Sequence, residues 1–180
     1  MALSPSTVVT ERLTLDPLVA ADADAMFTVL DDERMHEFTG GSPLSLDELR
    51  SRYERLAVGQ SPDGSELWFN WIVRTTADAT PVGVMQATVA ADGSSAEVAW
   101  EVGVPWQGRG LASEAATAVV SWLIEHDVPL IRALVHPDHA ASQRVAAHAG
   151  LEPTNELVDG EVVWRWMNVQ PLGGGPALAS

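Results

Sequence analysis

The sequence predicts an α+β fold: one mixed sheet of seven strands with about four helices packed on it. Three observations carry this expectation. The apolar period along the chain switches in the order strand, two helices, three strands, helix, strand, helix, two strands. Three of the strands follow one another between short polar turns, so the chain lacks the strand–helix alternation of a doubly wound sheet. A strand end then runs straight into a helix through a turn holding Gly108 and Gly110.

The elements follow in order. Residues 10–16 alternate like an edge strand. Residues 20–30 read as a helix with Ala23, Met26, Phe27 and Leu30 on one face. Ser45 caps a second helix, with Glu48 completing a capping box and Leu46, Leu49, Tyr53 and Leu56 as its apolar stripe. Residues 60–65 form a loop. Residues 67–75 and 81–89 are strands joined by a polar turn, and residues 91–95 turn into a strand over 96–102. The helix after the glycine turn carries Leu111, Ala115, Ala118, Val119, Trp122 and Leu123 at helical spacing. Residues 130–135 form a short buried strand, parallel to its neighbour across that helix. A short helix over 138–149 ends at Gly150. Residues 151–158 and 161–169 form a hairpin through Asp159–Gly160. Residues 8–169 thus read as a single domain, followed by a flexible tail over 170–180.

The bulk composition narrows the function. With 180 residues, 46% of them apolar, the chain can bury a full core. No stretch approaches the ~20 apolar residues of a membrane span, and the first residues lack the pattern of a signal peptide. A soluble, cytoplasmic protein is expected, with no membrane partner. The chain has no cysteine, which excludes disulfides, cysteine-rich zinc sites and a cysteine nucleophile. Its five histidines form no metal pattern, so no metal is expected. A formal charge of −15 argues against nucleic acid as a partner and suits a cationic substrate such as an amine.

The glycine turn points to a phosphorylated ligand. Its glycines leave the backbone approachable. The first N–H groups of a helix lack intrahelical partners and lie at the positive end of its dipole. No lysine follows the glycines as a P-loop requires, and the third glycine of a dinucleotide fingerprint is replaced by Ser113.

The run Gln107-Gly-Arg-Gly-Leu-Ala112 resembles the [RQ]-x-x-G-x-[GA] signature of the GNAT superfamily of N-acetyltransferases. Further segments extend the resemblance over about residues 8–169, and it is nearest to the RimJ/RimL-like branch. Thr10-Glu-Arg-Leu is similar to that branch's first strand, Phe38-Thr-Gly-Gly41 to its turn between the first two helices, and Ala96-Glu-Val-Ala-Trp100 to its fourth strand. The segment His136 to Ala146 is similar to the stretch after its fifth strand, and Ala149-Gly150-Leu151 to the close of that helix. The resemblance implies a mostly antiparallel seven-stranded sheet whose fourth and fifth strands splay apart.

It also implies acetyl-CoA as the acyl-donating cosubstrate. The pyrophosphate would rest on backbone N–H groups of Gln107, Gly108, Arg109, Gly110, Leu111, Ala112 and Ser113, with the Arg109 side chain adding a cation. The pantetheine arm would lie along Trp100, Glu101 and Val102 like an added strand, and the Val102 N–H would receive the oxyanion. His139 stands where the family usually has an asparagine on the pantetheine arm; its ring keeps a donor and an acceptor.

An amine attacking a thioester needs a base, and the departing thiolate needs a proton. Glu97 and Glu101 are the candidate bases. They share a face of a regular strand, whereas a bulge of the kind common in the family would separate them. Ser142 is the candidate acid, although a serine at a helix start also serves as a local hydrogen-bonding residue. Of the seven tryptophans, Trp164 and Trp166 share a face, Trp68 and Trp71 do not, and one or two are candidates for lining an aromatic acceptor pocket. The expected function is transfer of an acetyl group to a primary amine, either a protein N-terminus or a small molecule. The competing reading is an acyl-CoA-binding sensor or scaffold without turnover. A monomer and a homodimer are both compatible, the latter through pairing of the last strand with a second chain.

Overall fold

A computed structural model describes residues 3–38 and 40–168. Thr39 in the turn between the first two helices, Val169 and the proposed tail lie outside the described residues.

Eight strands form one sheet. They are β1 (Val8–Val9), β2 (Leu13–Pro17), β3 (Glu66–Thr75), β4 (Pro81–Ala90), β5 (Ala96–Val102), β6 (Leu130–Val135), β7 (Glu152–Val158) and β8 (Glu161–Met167). The helices are α1 (Ala23–Leu30), α2 (Leu46–Leu56), α3 (Leu111–Glu125) and α4 (Ala140–His148). The strand order is β1-β2-β3-β4-β5-β6-β8-β7, antiparallel except where β5 meets β6. The α+β class and the four helices match the sequence; the eighth strand does not. The extra strand is the two-residue β1, which pairs with β2 and takes the edge position expected for residues 10–16.

The last strand also departs from expectation. β8 lies between β6 and β7, so its backbone is paired on both sides and the free edge belongs to β7. The hairpin turn that reverses the chain holds Asp159 and Gly160 at φ of 51° and 88°, which a two-residue turn with left-handed residues requires.

The two faces of the sheet carry unequal cores. On one face α3 and α4 bury the larger cluster, with Leu111, Ala115, Val119 and Leu123 of α3 packed on Trp71, Met85, Val98 and Ile131. Trp71, Phe69 and Trp122 meet edge to face at centroid distances of 5.6–6.3 Å. On the other face α1 and α2 cover Leu18, Ile72 and Val84 with Met26, Leu49 and Tyr53. The Ser45–Glu48 capping box starts α2 as the sequence requires.

β5 is the strand that positions everything functional. Its register against β4 runs without a shift from Gly83↔Val102 to Val89↔Ala96. No bulge interrupts it, so Glu97 and Glu101 share a face, the one covered by α1 and α2. Against β6 it pairs only at Ala96↔Ile131 and Glu97↔Arg132, after which the two strands diverge. Two glycines allow close packing at the end of β5. A Cβ on Gly83 would collide with the Glu101 carbonyl oxygen, so only glycine lets β4 approach the end of β5 this closely. A Cβ on Gly103 would stand 2.8 Å from Val29 of α1.

Candidate active site

The splay leaves a cleft of about 630 Å3 between β5 and β6. Alternation along an antiparallel pair decides which backbone groups face it. The Gly103 N–H donates to the Val82 carbonyl at 2.9 Å, which fixes the hydrogen-bonded pairs of β4 and β5. Residues 101 and 99 then bond to β4; the Val98 N–H still pairs with β6 beside Arg132, and the N–H groups of Trp100 and Val102 point into the gap. The Val102 carbonyl is already taken, accepting from the Gln107 side chain at 2.9 Å. Its N–H therefore faces the cleft while its oxygen is masked. Glu101 differs from its neighbours. Its backbone serves β4, and what it can present is its carboxylate.

The glycine turn forms the far end of the cleft. Gly108 and Gly110 adopt φ of 72° and 76°, and a Cβ on Gly108 would meet nothing within 4 Å. Gly110 caps α3 without any side-chain bond. Among the described residues, no N–H from Gly108 to Ser113 donates to a protein acceptor; the first satisfied group is Glu114, which bonds the Gly110 carbonyl at 3.0 Å. Six consecutive donors at the positive end of a 15-residue helix fit a polyanion such as a pyrophosphate. Gln107, Gly108, Gly110, Leu111, Ala112 and Ser113 line the cleft. Arg109 does not: it is exposed, and its carbonyl accepts from Arg12 at 3.0 Å. The cation on the cleft wall is Arg144 of α4.

Arg12 was not identifiable from the sequence. Its guanidinium pairs with Glu114 at 2.6 Å, and the same carboxylate accepts from the Arg12 N–H and from the Thr10 hydroxyl. Burial pushes the Glu114 carboxyl up, and the bonds from Thr10 and Arg12 more than reverse this, holding it below the usual glutamate range. The N-terminal strand thereby braces the turn. The residues are about a hundred positions apart, so no local pattern could reveal the contact.

Ser142 and His139 stand on the opposite wall. The Ser142 hydroxyl accepts from Trp100 Nε1 at 3.3 Å, which leaves its own proton free to be donated. It does not cap α4. That role falls to His139, whose Nδ1 accepts the Ser142 N–H at 3.5 Å; α4 begins at Ala140, two residues later than the start read from the sequence. Burial lowers the His139 pKa and keeps the ring neutral near pH 7. Phe38 stacks on His139 at 4.2 Å; in the sequence it stands out only as part of the turn between the first two helices, with no role in the site.

The two carboxylates part company. Glu97 is held by Arg132 at 3.0 Å where β5 and β6 last pair, and it does not line the cleft. Glu101 lines both the cleft and a smaller pocket of about 70 Å3 beneath α1 and α2. Met35 is the other residue shared by the two spaces, so they meet at this point. No tryptophan lines the smaller pocket; Trp100 and Trp106 line the cleft. Among the described residues, no group of three or more histidines, aspartates and glutamates could hold a metal ion, and no helix is long and apolar enough to cross a membrane.

Residues 12–152 match the family model described as the acetyltransferase (GNAT) domain. The chain belongs to this family. Solved structures share the fold of this GNAT chain at low identity. An acetyltransferase from Agrobacterium tumefaciens strain C58 is 24% identical, with a TM-score of 0.69 over 93% of this chain and 98% of its own. A protein of Vibrio cholerae provisionally described as a ribosomal-protein-serine acetyltransferase is 19% identical, with a TM-score of 0.73 over 92% and 100%. The aminoglycoside acetyltransferase AAC(6')-Ib, in complex with paromomycin and acetyl-CoA, is 20% identical, with a TM-score of 0.72 over 87% and 94%. Comparison with the curated proteins gives no match.

Proposed function

We propose that this GNAT protein transfers an acetyl group from acetyl-CoA to a primary amine by direct attack on the thioester. The carrying observation is the continuity of three features along one cleft: six free N–H groups at the glycine turn, the free Val102 N–H, and the Glu101 carboxylate at the mouth. The pyrophosphate rests on the turn, with Arg144 rather than Arg109 as the adjoining cation. The pantetheine arm runs along Trp100 and Val102, and His139 offers its free ring nitrogen to the arm. The structure of AAC(6')-Ib with acetyl-CoA supports the choice of donor.

Glu101, directly or through one water, takes a proton from the acceptor ammonium. The amine nitrogen then bonds the thioester carbonyl carbon, and the oxyanion accepts from the Val102 N–H. On collapse the carbon–sulfur bond breaks, the sulfur takes the electron pair, and the Ser142 hydroxyl supplies the thiolate proton and is reprotonated by the proton that the nitrogen of the new amide sheds. Amide, free thiol and one released proton balance the reaction. Glu97, held by Arg132, has no part in it.

A place in the RimJ/RimL-like branch rests on the Thr10-Glu-Arg-Leu strand and the fold of the Vibrio cholerae protein. Thiol release from acetyl-CoA across a panel of amines and peptides tests the reading. The expected outcome is release with at least one amine, its loss in Ser142→Ala with acetyl-CoA binding retained, and turnover close to the parent's in Glu97→Gln. Tight acetyl-CoA binding without release above background from any amine would replace the enzyme with a sensor or scaffold.

A further inference from the structure

The small pocket beneath α1 and α2 has a feature that folding does not explain. Tyr53 of α2 is 2% exposed, and its hydroxyl has no hydrogen-bond partner. A buried hydroxyl without a partner is costly, so an orphan of this kind calls for a ligand or a reason. Burial, and behind it the Glu101 charge, pushes the Tyr53 phenol up, so the hydroxyl stays protonated. Tyr53 lines the pocket together with Glu101, the residue shared with the donor cleft. The rest of the lining is apolar at Phe27 and Leu30 from α1, Leu44 before α2, Leu49 from α2 and Val84 from β4, and polar at Asp31, His36, Arg52 and Gln86.

We infer that this pocket receives the acceptor and that the acceptor is a compact monoamine with an apolar body. The ammonium lies at the junction, beside the Glu101 carboxylate, and donates to Tyr53 Oη. The carbon body fills the space between α1 and α2. Size and charge exclude the larger alternatives. The pocket is about 70 Å3, room for roughly five waters at the 10–15 Å3 each needs, so a polycyclic amino sugar cannot enter. Its wall also carries Asp31 and Arg52, whose opposite charges offset and leave the charge of Glu101 for a single ammonium. The inference rests on the acetyltransferase reading and names its substrate class.

Kinetics on the intact protein test it. Thiol release is measured with isoamylamine and phenethylamine, with spermidine, with kanamycin, and with a peptide bearing a free N-terminus. The apolar monoamines should exceed the others at least tenfold in kcat/KM. Tyr53→Phe should raise KM for the preferred amine severalfold while leaving acetyl-CoA affinity and the melting temperature at or above the parent values, because it removes an unsatisfied group. Leu44→Trp, which fills the pocket from a loop, should raise KM at least tenfold for the same amines. Preference for spermidine, kanamycin or the peptide overturns the inference and leaves the acetyltransferase standing. An unchanged acceptor KM in both variants overturns it as well. Absence of release with every amine overturns the acetyltransferase reading instead.

Discussion

The cleft proposed for the donor and the pocket proposed for the acceptor meet at Glu101, yet they are built from different materials. The cleft is made of main chain. Its donors are N–H groups that β5 leaves free by diverging from β6, and that α3 leaves free because Gly110 caps it without a side chain. The pocket is made of side chains brought from α1, α2, β4 and β5. A main-chain site depends on a few glycines and tolerates change elsewhere. A side-chain site changes with every residue that lines it. The cleft is thus suited to one invariant phosphorylated handle, and the pocket to whatever amine its lining selects.

The junction should be the most sensitive point, because Glu101 belongs to both regions. Glu101→Gln keeps the size and the backbone pairing with β4 but cannot take a proton. Loss of a general base costs about 10²–10⁴-fold in rate. The expected result is a fall of that order in kcat, with acetyl-CoA affinity by calorimetry near the parent value. A small fall in kcat would mean that bulk water serves as base and that the two regions are less coupled than the geometry implies.

The same contrast explains what could be read in the sequence. Gln107 to Ser113 carries its chemistry locally, since strand, glycines and helix start are contiguous, so the turn and its free N–H groups were legible without a structure. The capping box at Ser45 and the turn at Asp159–Gly160 were legible for the same reason. Tyr53 was also visible, but only as one member of an apolar stripe; nothing local distinguishes a satisfied phenol from an orphaned one. The Arg12–Glu114 pair joins residues 102 positions apart. Glu97 and Glu101 looked equivalent because strand periodicity gives them one face. Their fates differ because Arg132 lies opposite only the first. The position of β8 inside the sheet follows from strand order, which alternation along a single strand does not encode.

A second test acts on the main-chain region alone. Gly110→Ala places a Cβ on a residue at φ 76°, where an L-residue is disfavoured by about 1–2 kcal/mol. If the turn must hold that conformation to present its N–H groups, acetyl-CoA affinity falls by roughly tenfold. The acceptor KM should move much less, because the pocket lies at the other end of the cleft. Equal losses on both substrates would show that the turn and the pocket are not independent.

The smallest effect concerns the brace behind the turn. Glu114 has a folded-state pKa below its ordinary value near 4.5, because the bonds from Thr10 and Arg12 outweigh burial. A depressed carboxylate pKa contributes stability that is fully present above the unfolded value and is lost as pH falls through the folded one. The parent should therefore lose this contribution below about pH 4.5, whereas Glu114→Gln should lack it at every pH. With Arg12 half exposed, the pair is worth on the order of 1 kcal/mol or less. Urea unfolding of both proteins between pH 7 and pH 3 measures it: the two curves should lie apart at neutral pH and converge in acid. Curves that stay parallel down to pH 3 would assign the brace to the neutral Thr10 and backbone bonds rather than to charge. Because Arg12 also bonds the Arg109 carbonyl, the neutral-pH gap should come with a slight loss of acetyl-CoA affinity, and with none for the acceptor.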